Sequence, residues 1–423
     1  MTSRQRVGAA LAHTEPDRVP LDLGAAPTTG MHVDSVYLLR QALGLDPAGT
    51  PVKVAEPFQM LGEIAPDLRE ALGVDVVGVG PPGNFFGFAQ DDWKPWTTFG
   101  GTPVLVPGLF NTEPDEKGDI LMYPEGDTSV PPCARMPEGG FYFDAIIRQE
   151  PFDEDDLDPA DNAEEFTLLT TDDVAHVKRS AEEAAEAGLA VMFVVGDTGI
   201  GDIAFVPGLK LEHPRGIRDI EQWYMSLNLR PEHVREIFER QTEAGLANLK
   251  AVHEACGDAI TVVYVTGTDF GAQDRPFISP KLYRDLFKPF HTRVNGWIHE
   301  HTSWKSFMHS DGAMWKLLDD VVEAGFDILN PVQTSAADME PVRLKETYGD
   351  RVTFWGAGVE TQTTLPFGTP DEVRAMVKER MRIFGPGGGY VFNTIHNLQA
   401  GIPVENIVAL YEAVDEYRTY PVD

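Results

Sequence analysis

Only two cysteines, Cys133 and Cys256, occur in the 423 residues. That is too few for a disulfide framework or a four-cysteine zinc cluster, and both read as bystanders. Basic residues are scarce as well: 34 Lys and Arg stand against 67 Asp and Glu, a formal charge of −33. Such a surface repels a phosphate backbone or an anionic bilayer, so neither nucleic acid nor membrane is an expected partner. No stretch of 18 apolar residues is present to span a bilayer, and the opening MTSRQRVGAALAHTEPDRVP holds no apolar run of signal-peptide length. A cytoplasmic protein is expected. Part of the acid excess is local, in EPFDEDDLDPADNAEE (150–165), which reads as a solvated loop.

What the sequence does contain is a repeated alternation of strand and helix. Eight runs are rich in β-branched or aromatic residues and end in Gly or a polar residue: 19–24, 75–80, 190–197, 260–269, 306–311, 327–332, 352–358 and 389–395. Helical patterns separate most of them, at 231–256, 279–301, 314–325 and 369–384. Alternation implies a parallel sheet, and eight units imply closure into a single (β/α)₈ TIM barrel spanning 1–423. GVGPPG (78–83) has the letters of a dinucleotide fingerprint, but its two prolines remove amide donors and no long helix follows. GPGGGY (385–390) precedes its strand and reads as a tight turn. The stretch 81–170, rich in Pro, Gly, aromatic and acidic residues, reads as an insertion over the barrel mouth, either a lid or a surface excursion with its own aromatic core.

Reactive groups of such barrels sit at the carboxyl ends of strands. Here those ends carry Asp22, Asp197, Asp269, His309, Asp311, Asn330, Gln333, Glu360, Gln362, Asn393, His396 and Asn397, with almost no Lys or Arg. In FMHSDG (307–312), His309 and Asp311 are two residues apart, so a strand would point both the same way. Two imidazoles and a carboxylate suit Zn²⁺ or Fe²⁺ and leave coordination positions open, which makes His309, Asp311 and His396 the candidate metal ligands. The alternative stays open: an Asp before Gly often caps a turn, and a strand-end His is often structural. Glu360, Asp269 and Asp197 are candidate acids or bases. Asn330, Gln333, Gln362 and Asn397, with Phe86 and Trp93 of the insertion, are candidate substrate contacts.

FMHSDG, DILNPVQ, FWGAGVETQTTLPFGTPDEV and GGGYVFNTIHNLQAGIPVENIVALYEAV resemble the uroporphyrinogen decarboxylase superfamily, which includes the cobalamin- and coenzyme M-linked methyltransferases. The resemblance implies a (β/α)₈ barrel and a homodimer. The true decarboxylase is similar in fold but carries an N-terminal Arg-rich segment; here that place reads LDLGAAPTTGMH (21–32), without arginine. The methyltransferase branch holds zinc with His-x-Cys-Gly and a distant Cys. Laid on this chain, His309 keeps the first ligand, Asp311 replaces the first cysteine and His396 falls near the second. The resemblance therefore implies a metal-dependent methyltransferase or demethylase acting on a methoxylated or methylated small molecule, with a corrinoid carried by a partner protein, a folate or a thiol as acceptor. A decarboxylase or lyase acting on a small carboxylic acid, and a non-catalytic ligand-binding barrel, are the alternatives.

Overall fold

The computed structural model describes residues 1–422. Seven parallel strands form one curled sheet in sequence order: β1 (Val76–Val79), β2 (Ala190–Val194), β3 (Val262–Thr266), β4 (Lys305–His309), β5 (Ile328–Asn330), β6 (Thr353–Glu360) and β7 (Tyr390–Ile395). Strands β3, β6 and β7 are buried along their whole length, as strands of a parallel sheet covered on both faces must be. The crossover helices are α1 (Thr171–Glu186), α2 (Pro231–Cys256), α3 (Lys288–His301), α4 (Leu318–Glu323), α5 (Pro341–Tyr348) and α6 (Pro370–Phe384), and α7 (Val404–Tyr417) follows β7. Their ends follow from local chemistry. Pro231 opens α2, and Gly257 at φ +49° ends it; α6 starts at a Thr369–Glu372 capping box with Pro370 in the first turn.

The eighth expected strand, 19–24, is reduced to a three-residue stave. Pro20 O accepts from Phe392 N at 2.8 Å and Asp22 N donates to Phe392 O at 2.9 Å, while Leu21 O accepts from Asp75 N at 2.8 Å. Residues 20–22 thus bond to β7 on one side and to the residue before β1 on the other, joining both edges of the sheet. The ladder goes no further because the Asp22 carboxylate accepts from Ala25 N at 3.1 Å, which bends the chain away at Gly24 (φ +83°).

Alternation along the strands divides the core in two. Val76, Ala190, Met192, Val262, Tyr264, Phe307, Ile328, Trp355 and Val391 fill the interior, with the N-terminal helix Ser3–Leu11 contributing Val7, Ala10 and Leu11. The larger cluster lies between sheet and helices. Two residues beyond the interior layer come His309 after Phe307, Asn330 after Ile328 and Asn393 after Val391. The period of two thus delivers these polar side chains to the barrel mouth.

Residues 81–170 are more ordered than a loop. Strands Lys94–Thr97 and Pro103–Val106 join Val52–Glu56 and Leu61–Gly62 in a four-stranded outer sheet, and Ile120–Met122, Ala134–Met136 and Asp144–Ala145 form a second, three-stranded one. Their core is aromatic: Phe86 meets Phe88, Phe143 and Phe58 with ring centroids 5.9, 5.7 and 6.1 Å apart. The acidic run is not wholly solvated either, since Glu165 is buried and pairs with the buried Arg218 at 3.0 Å. Among the described residues no helix is long and apolar enough to cross a membrane.

Two consequences can be measured. Asp75 is fully buried and receives Arg6 Nη1 at 2.6 Å, Ser3 Oγ at 2.7 Å and Leu21 N at 3.0 Å, so it clips the closing stave to the N-terminal helix. Asp75→Ala leaves Arg6 buried without that partner, and chemical denaturation is expected to show a loss of about 3–5 kcal/mol. His291, enclosed by Phe270, Tyr283 and Phe326, has its pKa pushed down to about 3 by burial. Its neutral form is favoured in the fold, so its contribution is intact above pH 6.5 and is lost as the pH falls from there toward 3. Against His291→Gln, wild-type unfolding free energy is expected to fall by roughly 1.4 kcal/mol more per pH unit across that window.

Candidate metal centre

β4 ends at His309, and the loop that follows is held by one acceptor for each backbone amide. Ser310 N donates to Asn330 O, Asp311 N to Asp269 Oδ1 and Gly312 N to Gln333 Oε1, each at 2.8 Å. Gly312 lies at φ +85°, and a Cβ there would sit 2.2 Å from Gly271 O, so two mouth loops meet backbone to backbone. His396 is the first residue after β7 and adopts φ +67°, a costly conformation for a non-glycine residue that turns its ring back over the mouth.

The result is convergence. The rings of His309 and His396 lie 5.4 Å apart between centroids. Their Nε2 atoms are 3.8 and 3.7 Å from Asp311 Oδ2, and one ligand atom from each of the three residues falls within 4.8 Å of the others. An ion with bonds of about 2.1 Å to nitrogen fits such a spacing with a small inward adjustment.

Both tautomers are set by asparagines. Asn330 Nδ2 donates to Trp355 O at 2.7 Å, which turns Oδ1 toward His309 Nδ1 at 2.6 Å. Asn397 Nδ2 donates to Pro27 O at 3.1 Å, which turns its Oδ1 toward His396 Nδ1 at 3.0 Å. An amide oxygen only accepts, so each Nδ1 carries the proton and each Nε2 presents a lone pair to the Asp311 carboxylate. His309 Nε2, on a side chain only 3 % exposed, faces the carboxylates of Asp311 and Asp269 at 3.8 and 3.9 Å, beyond hydrogen-bond length. That is the donor geometry of a cation site.

The surroundings are acidic and aromatic. Asp269 Oδ1 lies 3.9 Å from His309 Nε2; burial raises this carboxyl, the nearby imidazole opposes that rise and Asp311 adds to it. Burial lowers the His396 pKa, with Asp311 acting in the other direction. Two groups escaped the sequence reading. Asp202 is pushed up to about 6, chiefly by burial, with Asp269 contributing, and Tyr264 is raised by burial and by Asp202. Gly267 lets them approach: a Cβ there would lie 2.8 Å from Tyr264 Oη and 2.9 Å from Asp202 Oδ2. The signal for Tyr264 was its inward register on β3. Asp202 sits five residues past the acid that marked the end of β2, and no periodicity reaches it.

Other predicted residues have different employment. Asp197 is buried against α2, where Asn248 Nδ2 donates to it at 2.5 Å, and not in the mouth. Glu360 accepts from Thr334 Oγ1 at 3.2 Å, while its amide faces Met376 of α6. Gln333 bridges loops, holding Gly312 N and Gln273 Oε1, and Asn330 and Asn397 hold imidazoles, so each of these amides is engaged with protein groups. Gln362 is exposed on the rim. Phe86 is fully buried in the aromatic core of the insertion, and Trp93 lies half-buried under Lys53, whose ammonium is 5.1 Å from the ring centre.

Comparison with known proteins agrees with the fold and its resemblance. Residues 213–417 match the Uroporphyrinogen decarboxylase (URO-D) family model, and this stretch contains all three candidate ligands. A uroporphyrinogen decarboxylase of Coxiella burnetii is 22 % identical over 191 residues, covering 44 % of this chain and 48 % of the relative. That of Thioalkalivibrio sulfidiphilus is 28 % identical over 141 residues, 32 % and 38 % of the two chains. The chain thus spans about half the length, or less, of the curated relatives it matches. A solved structure described as a methyltransferase from Methanosarcina mazei aligns over 99 % of both chains, with a TM-score of 0.55 and 15 % identity, which establishes a shared fold.

After loading with Zn²⁺ and removal of excess ion, elemental analysis is expected to find about one zinc per chain. His309→Ala, His396→Ala and Asp311→Ala should each lower that content by tenfold or more, on the order expected for removing a direct ligand.

Proposed function

We propose that this chain is a metal-dependent methyltransferase or demethylase. It would move a methyl group from a methoxylated or methylated small molecule to a corrinoid on a partner protein, a folate or a thiol. The observation that carries the reading is the pair of fixed Nε2 lone pairs facing the Asp311 carboxylate. A bound divalent ion would supply Lewis acidity at the heteroatom that gives up or accepts the methyl group. Two nitrogens and an oxygen form a harder donor set than the thiolates of the methyltransferases it resembles, which suits an oxygen donor over a soft thiol.

The chain's own groups supply the rest. As the acceptor takes the methyl carbon, the electron pair of the broken bond stays on the heteroatom, which then needs a proton. Asp269, next to the ligands, is placed to hold that proton; Glu360, turned toward Thr334, is not. His309 and Asp311 orient the heteroatom, and Tyr264 and Asp202 border the space beside them.

The decarboxylase reading draws on the names of the sequence relatives, but the charge of the mouth weighs against it. Asp202, Asp269 and Asp311 converge there, and no lysine or arginine is among the groups that perturb Asp202 or Asp269. A substrate with several carboxylates would be repelled, whereas a neutral or cationic methyl donor would not. Zinc-loaded protein incubated with methoxylated aromatics, methylated amines and reduced cobalamin is expected to form methylcobalamin, followed by absorbance. Asp269→Asn should retain zinc and lower the rate by roughly 10²–10⁴-fold. Release of CO₂ from small carboxylic acids without methyl transfer would reverse the assignment.

A further inference from the structure

The two imidazoles are not held in the same way. His309 sits within β4, its side chain 3 % exposed, and packing restricts its ring together with the hydrogen bond to Asn330. His396 lies past the end of its strand, in a left-handed conformation and 31 % exposed, so its orientation depends on the hydrogen bond from Nδ1 to Asn397. Asn397 is completely buried. Its Nδ2 donates to Pro27 O and, at 2.8 Å, to Gln59 Oε1, while its Oδ1 also accepts from Gln399 Nε2.

Gln59 comes from outside the barrel. It occupies the turn between the outer-sheet strands Val52–Glu56 and Leu61–Gly62, where the Glu56 carboxylate accepts from Phe58 N at 2.9 Å and Gln59 N at 2.8 Å. Phe58 of the same turn packs on Phe85 and Phe86 at 6.2 and 6.1 Å, and its carbonyl accepts from Phe143 N at 2.9 Å. A continuous path therefore runs from the aromatic core of the insertion through Phe58, Gln59 and Asn397 to His396.

Resting on the metal reading above, we propose that Gln59 is a positioning residue for the metal centre. By engaging the second N–H of Asn397 it fixes which nitrogen of His396 is protonated, and so makes metal affinity depend on how the outer sheet is seated. Partners of this kind, one step behind a ligand, typically change metal affinity by about 10–100-fold when removed.

The test titrates the metal-free full chain with Co²⁺, followed by its visible absorption bands, for wild type, Gln59→Ala and Gln59→Glu. The melting temperature of each metal-free chain is measured alongside. Gln59→Glu keeps an oxygen that can accept from Asn397. The expected result is Co²⁺ binding weakened about tenfold or more in Gln59→Ala, restored in Gln59→Glu, with melting temperatures alike. Equal Co²⁺ affinity in wild type and Gln59→Ala overturns the inference while leaving the metal centre standing. So does a loss that follows a lowered melting temperature and is not restored by glutamate. A wild-type chain that takes up no Co²⁺ overturns the metal reading, and this one with it.

Discussion

A curled sheet of seven strands has two open edges, and in this protein both are bonded to residues 20–22. Backbone groups left unpaired in a buried sheet cost as much as lost hydrogen bonds, so this short stave constrains the whole barrel. It holds β7 at a set distance from β1, and β7 carries His396 while β4 carries His309. The relative position of two imidazoles 87 residues apart in sequence is thus a result of how the sheet is closed. Trp355 adds a lateral tie, donating Nε1 to Asp22 Oδ2 at 2.8 Å and stacking edge-on with Phe307, two residues before His309.

Much of the scaffold was legible in the sequence because its signals are local. The seven strands were found by β-branched content and flanking glycine, and α2 was placed to the residue because Pro231 opens it and Gly257 closes it. The helix expected at 279–301 runs from the Ser279 cap to His301 and holds one π-helical stretch, Tyr283–Phe287, before α3. That stretch accompanies the packing of Phe287 and Tyr283 on Phe270, a tertiary contact that no local pattern announces. The outer sheet was also missed: Val52–Glu56 pairs with Pro103–Val106, a partner some 50 residues away.

The candidate centre was legible for a different reason. His309 and Asp311 share an i, i+2 spacing, and His396 follows a strand end, so fold class and position together nominate them. What eluded the sequence reading was the use of the amides. Asn330, Gln333 and Asn397 occupy strand ends like any substrate contact, and only the acceptors around them, Trp355 O, Gln273 Oε1 and Pro27 O, show that they hold protein groups. Asp197 and Glu360 illustrate the converse: Asp197 lies three residues past its strand, beyond the reach of strand alternation, and packs on Asn248 of α2, while Glu360 at the end of β6 accepts from Thr334 of the neighbouring loop.

The approach of Gly271 to Gly312 has an implication for how the scaffold can diversify. Because neither position has room for a side chain, the loops after β3 and β4 are welded into one rigid ledge beside the candidate ligands His309 and Asp311. The segment beyond β2 and the outer sheets have no such constraint, and loops of this kind are where variation is tolerated. A side chain at either glycine would force the two loops apart, so this part of the rim is closed to substitution.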